Sequence, residues 1–159
     1  MKANEPLPGE ESANSPRSIL VIDDDHDVRQ LSVDVLAGAG YEVEAVADGV
    51  AGWKALQAGH YDLIIADHKL IGMTGMAIVE KLRAAAMAIP VIIAARYLPT
   101  LEFARKPWLK PVVMLQRPFT NDDLLGAVTK TLRPASHGAT PPFSGATKRE
   151  PALALAGQT

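Results

Sequence analysis

Four side chains in this sequence could together carry chemistry on a phosphate group: Asp23, Asp24, Asp67 and Arg117. The aspartates follow short apolar runs of the chain. Carboxylates that face each other repel, so three of them require a cation between them. Hard oxygen ligands with room left for water suit Mg²⁺ better than a soft metal. A carboxylate can also act as a nucleophile and form an acyl phosphate, and Arg117 would meet the phosphoryl oxygens as a fixed positive fork.

The acidic run from Asp23 to Asp27 also has a simpler interpretation. An acidic run after a strand is commonly a solvated turn or a helix cap. We assign that role to Asp25 and Asp27, because they stand where the first predicted helix begins. Asp23, Asp24 and Asp67 are retained as a site, because they recur at the ends of strands that must converge.

The elements that position these residues alternate along the chain. Five apolar, β-branched runs predict strands, and helical spacing or cap residues fill the intervals. The predicted strands are Ser18–Ile22, Tyr41–Ala47, Asp62–Ala66, Pro90–Ala94 and Val112–Gln116. The predicted helices are Val28–Gly38, a helix capped by Asp48 and ending at Ala58, Thr74 to about Met87, a short Leu101–Lys106, and one capped by Thr120 or Asn121 and ending at Leu132.

This alternation predicts an α/β fold. Right-handed βαβ crossovers give a doubly wound parallel sheet that is covered on both faces. Ligands of such sheets bind beyond the carboxyl ends of the strands, near a switch in strand order. With the order 2-1-3-4-5, the first, third and fifth strands would place the aspartates and Arg117 around one crevice.

Composition limits the environment and partners. The chain has 159 residues, a net charge of −2 and no cysteine. We therefore expect no disulfide or thiolate chemistry, a reducing and cytoplasmic location, and neither nucleic acid nor an anionic membrane as the main partner. The longest apolar stretch, Ala84–Ala95, is interrupted by Pro90 and is too short to span a bilayer. Residues 1–16 and 134–159 are poor in groups to bury, and we expect both to be flexible tails.

Five motifs follow one another along the sequence: Ile19-Leu-Val-Ile-Asp-Asp-Asp25, Leu63-Ile-Ile-Ala-Asp67, Gly75, Pro90-Val-Ile-Ile93 and Arg117-Pro-Phe119. In this order and spacing, over about residues 17–133, they resemble the receiver domain of two-component response regulators. The resemblance implies a flavodoxin-like (βα)₅ fold. It also implies phosphoryl transfer from a phosphohistidine on a sensor histidine kinase or a histidine phosphotransfer protein.

The resemblance also assigns roles to the site residues. By this match Asp67 is the phosphoryl acceptor and Arg117 is the cation that contacts the phosphate. Asp23, Asp24 and Asp67 hold Mg²⁺, directly or through water, and the backbone carbonyl of Lys69 completes the protein ligands.

Several positions depart from the family pattern, and three of them concern the phosphate contact or the switch. Ala95 stands where the family has Ser or Thr, so no hydroxyl is present to bond a phosphoryl oxygen and draw in the next loop. Arg117 replaces a lysine, and Met114 replaces the aromatic residue whose rotation completes the usual switch. We expect the chemistry to be retained and the Ala95–Pro99 loop to move little on phosphorylation.

Lys69 and Tyr97 occupy positions that influence the lifetime of the acyl phosphate in the family. We expect the two side chains to obstruct the water that attacks it. The alternative is that both are ordinary solvent-facing residues.

These features favour a single-domain response regulator that acts by docking or by phosphorelay, without enzymatic activity beyond Mg²⁺-dependent self-phosphorylation and autodephosphorylation. An interaction module that works independently of phosphorylation is the main alternative. A homodimer and an unidentified protein target are left open. A small aspartate-nucleophile phosphatase fits less well, because Asp23-Asp-Asp-His-Asp27 lacks the Asp-x-Asp-x-Thr/Val arrangement of such enzymes.

Overall fold

A computed structural model describes residues 15–133 of the chain and contains one five-stranded parallel sheet. Its strand order is β2-β1-β3-β4-β5, as the sequence predicts. The strands are β1 Ser18–Ile22, β2 Glu42–Val46, β3 Leu63–Asp67, β4 Val91–Ala95 and β5 Val112–Gln116. The expected flexible tails fall outside the described residues, apart from positions 15 and 16.

Five α-helices connect or follow these strands within the described residues. They are α1 His26–Gly38, α2 Gly49–Ala58, α3 Gly75–Ala84, α4 Thr100–Ala104 and α5 Asn121–Leu132, with a 3₁₀ turn at Pro107–Leu109. The expected caps are present: the Asp48 carboxylate accepts from the Ala51 N–H, and Thr120 exchanges hydrogen bonds with Asp123 in a capping box.

The third helix is shorter than the sequence predicts, ending at Ala84 rather than near Met87. The Met87 N–H donates to the carbonyl of Leu82, and Ala86 takes a positive φ of 60°. This is the hydrogen-bond pattern that ends a helix with a left-handed residue, for which glycine is usual. An alanine at that position gives no signal in the sequence, and the prediction was wrong there.

The hydrophobic core forms two layers, one on each face of the sheet. One layer packs β-strand side chains against α2, α3 and α4, and includes Leu56, Ile78, Leu82 and Phe103. The other packs the opposite side chains against α1 and α5, and includes Leu36, Leu124 and Val128. Because successive strand residues point to opposite faces, both layers draw on the same strands. The sheet is thereby fixed from both sides, and its carboxyl edge becomes a stable base for a site.

Arg83 ties the end of α3 to the irregular segment before β5. Its guanidinium donates to the carbonyls of Met87 at 2.6 Å, Leu109 at 2.7 Å and Pro111 at 3.0 Å. Burial lowers the pKa of Arg83. The neighbouring α4 has only five residues, and Pro99 at its N-cap provides no side-chain hydrogen bond. Arg83 thus supports a region where a longer helix would have supplied contacts of its own.

Within residues 15–133, no helix has the length and apolar character that crossing a bilayer would require.

Gly75 allows α3 to begin directly against the end of β3. Its N–H donates to the carbonyl of His68 at 2.9 Å. A Cβ added at Gly75 would lie 2.9 Å from the carbonyl oxygen of Asp67 and 3.2 Å from the Cα of His68. Both neighbours are backbone atoms that cannot turn away, so a larger residue would push the Asp67 segment out of position.

We therefore expect Gly75→Ala to lower the free energy of unfolding by about 1–3 kcal/mol, measured by urea denaturation. The control is Gly126→Ala in α5, where an added Cβ meets nothing within 4 Å. That change should raise stability by about 0.5–1 kcal/mol, because alanine favours the helix. Equal stability of Gly75→Ala and the wild type would contradict this account of the β3–α3 junction.

Candidate functional site

The predicted site residues meet at the carboxyl edge of the sheet. Asp23 follows β1, Asp67 ends β3 and Arg117 follows β5. Together with Asp24 they line a cleft of about 490 Å³. The remaining lining residues come from the loops after these three strands, from the end of β4 and the loop after it, and from the start of α1; they are Asp25, Val28, His68, Lys69, Ala95, Arg96, Tyr97 and Pro118.

Every polar group of Asp23 makes a hydrogen bond. Its N–H donates to the carbonyl of Val46 at 3.1 Å, and its own carbonyl accepts from Arg29 Nη1 at 2.8 Å. One carboxylate oxygen accepts from the N–H of Asp25 at 2.9 Å and the other from Arg117 Nη2 at 2.6 Å. The residue is only 4% exposed. A charge this buried is tolerated because it is fully hydrogen-bonded and paired.

Arg29 is a contributor that sequence reasoning missed. Its position in the first turns of α1 lets the guanidinium reach back to the turn that carries Asp23. In the sequence, Arg29 is visible only as a basic residue six positions after Asp23. Basic residues are common on helix surfaces, so this position alone does not predict the contact.

Three carboxylates form the cluster that the sequence predicts. One oxygen from each of Asp23, Asp24 and Asp67 lies within 4.8 Å of the others. Asp23 is buried, Asp67 is half-buried and Asp24 is exposed. This donor set consists of hard oxygens and opens to solvent at Asp24, which fits a divalent cation that keeps some of its water, such as Mg²⁺.

The electrostatics of Asp67 follow from its surroundings. Burial raises the pKa of its carboxyl above the ordinary value, the positive charge of Arg117 lowers it, and the charges of Asp23 and Asp24 raise it again. The net direction is upward. The ionised form is therefore less favoured here than in water, and a divalent ion at the cluster would favour it again.

Arg117 bridges two of the carboxylates. Its Nη2 contacts Asp23 at 2.6 Å, and its Nε lies 3.4 Å from Oδ1 of Asp67. The guanidinium carbon stands 5.4 Å from the centre of the Phe119 ring. Nε is buried and has no hydrogen-bond partner among the described residues. The positive charge of Arg117 is thus shared between Asp23, which follows β1, and Asp67, which ends β3.

Comparison with known proteins identifies the family. The family model described as the response regulator receiver domain matches residues 19–129. The chain belongs to this family. Receiver domains are generally non-enzymatic signalling modules, and phosphorylation and Mg²⁺ binding through an acidic pocket are features of the family.

Individual relatives agree with this assignment. Sporulation initiation phosphotransferase F of Bacillus subtilis is 28% identical over 114 residues, which cover 72% of this chain and 92% of that protein. Transcriptional regulatory protein DltR of Streptococcus agalactiae is 26% identical over 118 residues, covering 74% of this chain and 53% of DltR. This receiver domain therefore spans about half the length of DltR.

A solved relative has a similar fold. The response regulator TrrA from Thermotoga maritima, in complex with Mg²⁺ and BeF, superposes with a TM-score of 0.64 at 27% identity. The alignment covers 73% of this chain and 99% of that one.

The acidic residues that were set aside from the site have structural roles. The Asp25 side chain caps α1, accepting from the N–H groups of Asp27 at 3.0 Å and Val28 at 3.1 Å. Asp27 lies exposed in the first turn of that helix, where its charge suits the helix dipole. The interpretation of both as helix-start residues is confirmed.

The structure places the atypical positions of this receiver domain at different depths. Ala95 ends β4, is buried and lines the cleft. Met114 lies on β5 and packs, half-buried, against the core layer of α2 and α3 rather than among the residues lining the cleft. Lys69 and Tyr97 both line the cleft and are exposed, Tyr97 to 78%.

Proposed function

We propose that this receiver domain accepts a phosphoryl group on Asp67 and signals through the resulting change in charge at the cleft. The observation that carries the proposal is the meeting of Asp23, Asp24 and Asp67 within 4.8 Å, with Arg117 beside them. Such a group costs free energy to hold together, and a binding or chemical role accounts for that cost.

The transfer is a displacement at phosphorus. A carboxylate oxygen of Asp67 attacks the phosphorus of a phosphohistidine, and the P–O bond forms as the P–N bond breaks. The donor imidazole leaves with the bonding electron pair and takes up a proton. In autodephosphorylation, water attacks the same phosphorus and releases inorganic phosphate, which restores the carboxylate.

Asp23, Asp24, Asp67 and the backbone carbonyl of Lys69 would hold the magnesium ion. When bound, Mg²⁺ supplies positive charge that offsets the carboxylates and the incoming phosphate. Arg117, which contacts Asp23 and Asp67, neutralises a further part of that charge. The buried Asp23, fixed by its four hydrogen bonds, keeps this arrangement in place.

The donor in this proposal is a sensor histidine kinase or a histidine phosphotransfer protein. The output is docking to a protein target or passage of the phosphate along a relay. The relationship to sporulation initiation phosphotransferase F supports a relay role, since the match covers 92% of that protein. The net charge of −2 supports a protein partner over nucleic acid or an anionic membrane. The lack of cysteine in the sequence supports a reducing, cytoplasmic site of action. A homodimer is a further form that target docking could take.

The proposal is tested by incubation with acetyl phosphate and Mg²⁺, followed by intact mass measurement. We expect one phosphoryl group on the wild type and none on Asp67→Asn or on the wild type without a divalent ion. No addition to the wild type would favour the interaction module that works independently of phosphorylation. Continuous release of phosphate from small phosphate esters would indicate a phosphatase instead.

Lys69 and Tyr97 are proposed to lengthen the lifetime of the acyl phosphate, because both side chains line the cleft through which water must approach Asp67. We expect Lys69→Ala and Tyr97→Ala to lose the phosphoryl group faster than the wild type in a mass time course. Lys110→Ala is the control, since that exposed side chain is remote from the cleft-lining residues. Unchanged lifetimes would assign both residues to the ordinary surface.

The readout of phosphorylation is proposed to be atypical. Ala95 has no hydroxyl to bond the phosphoryl group, and the start of its loop is already tied to β5. The Ala95 carbonyl accepts from the Arg117 N–H at 2.9 Å, and the Arg96 carbonyl accepts from Gln116 Nε2 at 3.3 Å.

We therefore expect beryllofluoride with Mg²⁺ to shift amide resonances around Asp67 while the backbone of residues 95–99 moves by less than about 1 Å. Paired structures with and without beryllofluoride measure this displacement. A large ordered movement of the loop would contradict the expectation.

A further inference from the structure

We propose that Arg29 is a positioning residue of the metal site and that it acts through Asp24. The Arg29 side chain fixes the peptide group that joins Asp23 to Asp24, and this peptide group sets the direction of the Asp24 carboxylate. The inference rests on the proposed binding of Mg²⁺ by the acidic cluster. It concerns which residue keeps the exposed member of that cluster in place.

Asp24 is the most weakly held member of the acidic cluster. It is exposed and contributes one of the three oxygens that lie within 4.8 Å of one another. The carboxylates of Asp23 and Asp67 both contact Arg117, whereas Asp24 makes no hydrogen bond or ion pair within residues 15–133. The neighbouring negative charges favour its movement into solvent. The place of the Asp24 carboxylate in the cluster therefore depends on its backbone.

Arg29 holds the backbone on both sides of Asp24. Its Nη1 donates to the carbonyl of Asp23 at 2.8 Å, and its N–H donates to the carbonyl of Asp25 at 2.9 Å. In the described part of the chain, the Nη1 bond is the single hydrogen bond of the Asp23–Asp24 peptide group, because the Asp24 N–H has no partner there. The orientation of a planar peptide group determines φ of the residue that follows it, and hence where that side chain points.

The carboxylate of Asp23 does not depend on Arg29 in the same way. One of its oxygens accepts from the Asp25 N–H at 2.9 Å and the other from Arg117 Nη2 at 2.6 Å. Both contacts remain available when the Arg29 side chain is removed. The effect of losing Arg29 should therefore fall on Asp24.

The charge of Arg29 makes the inference easy to distinguish from an electrostatic effect. Arg29 forms no ion pair with any carboxylate of residues 15–133. A positive charge near the cluster repels a divalent cation, so charge alone predicts that removing Arg29 tightens Mg²⁺ binding. Loss of the positioning contact predicts weaker binding. The sign of the change separates the two effects.

The test is a Mg²⁺ titration of the metal-free protein, measured by calorimetry at constant ionic strength. We expect Arg29→Met to weaken Mg²⁺ binding by about 10-fold or more, as is usual when a residue that orients a metal ligand is lost. Arg29→Lys keeps the charge and one donor, which is all that the bond to the Asp23 carbonyl requires, and should stay within about threefold of the wild type.

A second measurement needs neither metal nor phosphate. The Asp24 N–H belongs to the peptide group that Arg29 holds, so ¹⁵N relaxation of this amide reports on the contact directly. Without metal, its order parameter should be about 0.85 in the wild type and should fall below about 0.6 in Arg29→Met. A mobile Asp24 amide in the metal-free wild type would overturn the inference, even if thermal melts showed that Arg29→Met does not fold.

Arg96→Met is the matched control, because it removes an exposed cation that lines the same cleft and whose side chain makes no hydrogen bond in the described residues. Its Mg²⁺ affinity should be unchanged or higher. Wild-type affinity in Arg29→Met, equal weakening in Arg29→Lys, or equal weakening in Arg96→Met would each overturn the inference and leave the proposed function standing. If the wild type binds no Mg²⁺, the proposed function fails together with the inference.

Discussion

Like-charge repulsion among three carboxylates at one edge of a parallel sheet is the constraint on which the rest of this structure depends. Asp23, Asp24 and Asp67 lie within 4.8 Å of one another, and burial alone already disfavours the charge on Asp67. The negative charges of the three carboxylates favour their separation. The arrangement persists because the strands before them are packed on both faces, so the backbone cannot relax to separate the charges.

Arg117 is the positive charge that the protein itself places beside these carboxylates. It comes from the far edge of the sheet and shares one positive charge between Asp23 and Asp67. One such charge does not neutralise three carboxylates, and a divalent cation would supply the positive charge that is still lacking. Under the proposed function, a phosphoryl group would add more negative charge to this cleft, and its binding would therefore depend on the metal.

The strands, the helix caps and the place of the acidic cluster could be predicted from the sequence, because they depend on patterns among neighbouring residues. Strands such as Val91–Ala95 are continuous apolar runs, and parallel topology places the residues that follow the strands at a common edge. The cap residues Asp48 and Thr120 are equally local signals. The positions of the acidic cluster and of Arg117 followed from topology alone, whereas the roles assigned to them remain predictions.

What the sequence did not reveal depends on contacts between distant segments. The reach of Arg29 to the Asp23 carbonyl and the three carbonyls gathered by Arg83 require knowledge of where backbone groups lie in space. Arg117 Nε, which makes no hydrogen bond within residues 15–133, is a similar case, because only the three-dimensional geometry shows whether a donor is bonded. The end of α3 at Ala84 was not predicted, because Ala86 adopts a left-handed backbone conformation that an alanine rarely takes.

The most direct test of the central claim is to locate the divalent ion in solution. Mn²⁺ added at substoichiometric amounts to the ¹⁵N-labelled protein should broaden the amide resonances of residues 23–25 and 67–69 before all others, and excess Mg²⁺ should reverse the effect. Broadening centred on another acidic group, such as Asp122 and Asp123 at the start of α5, or no selective broadening at all, would contradict the shared-cation site.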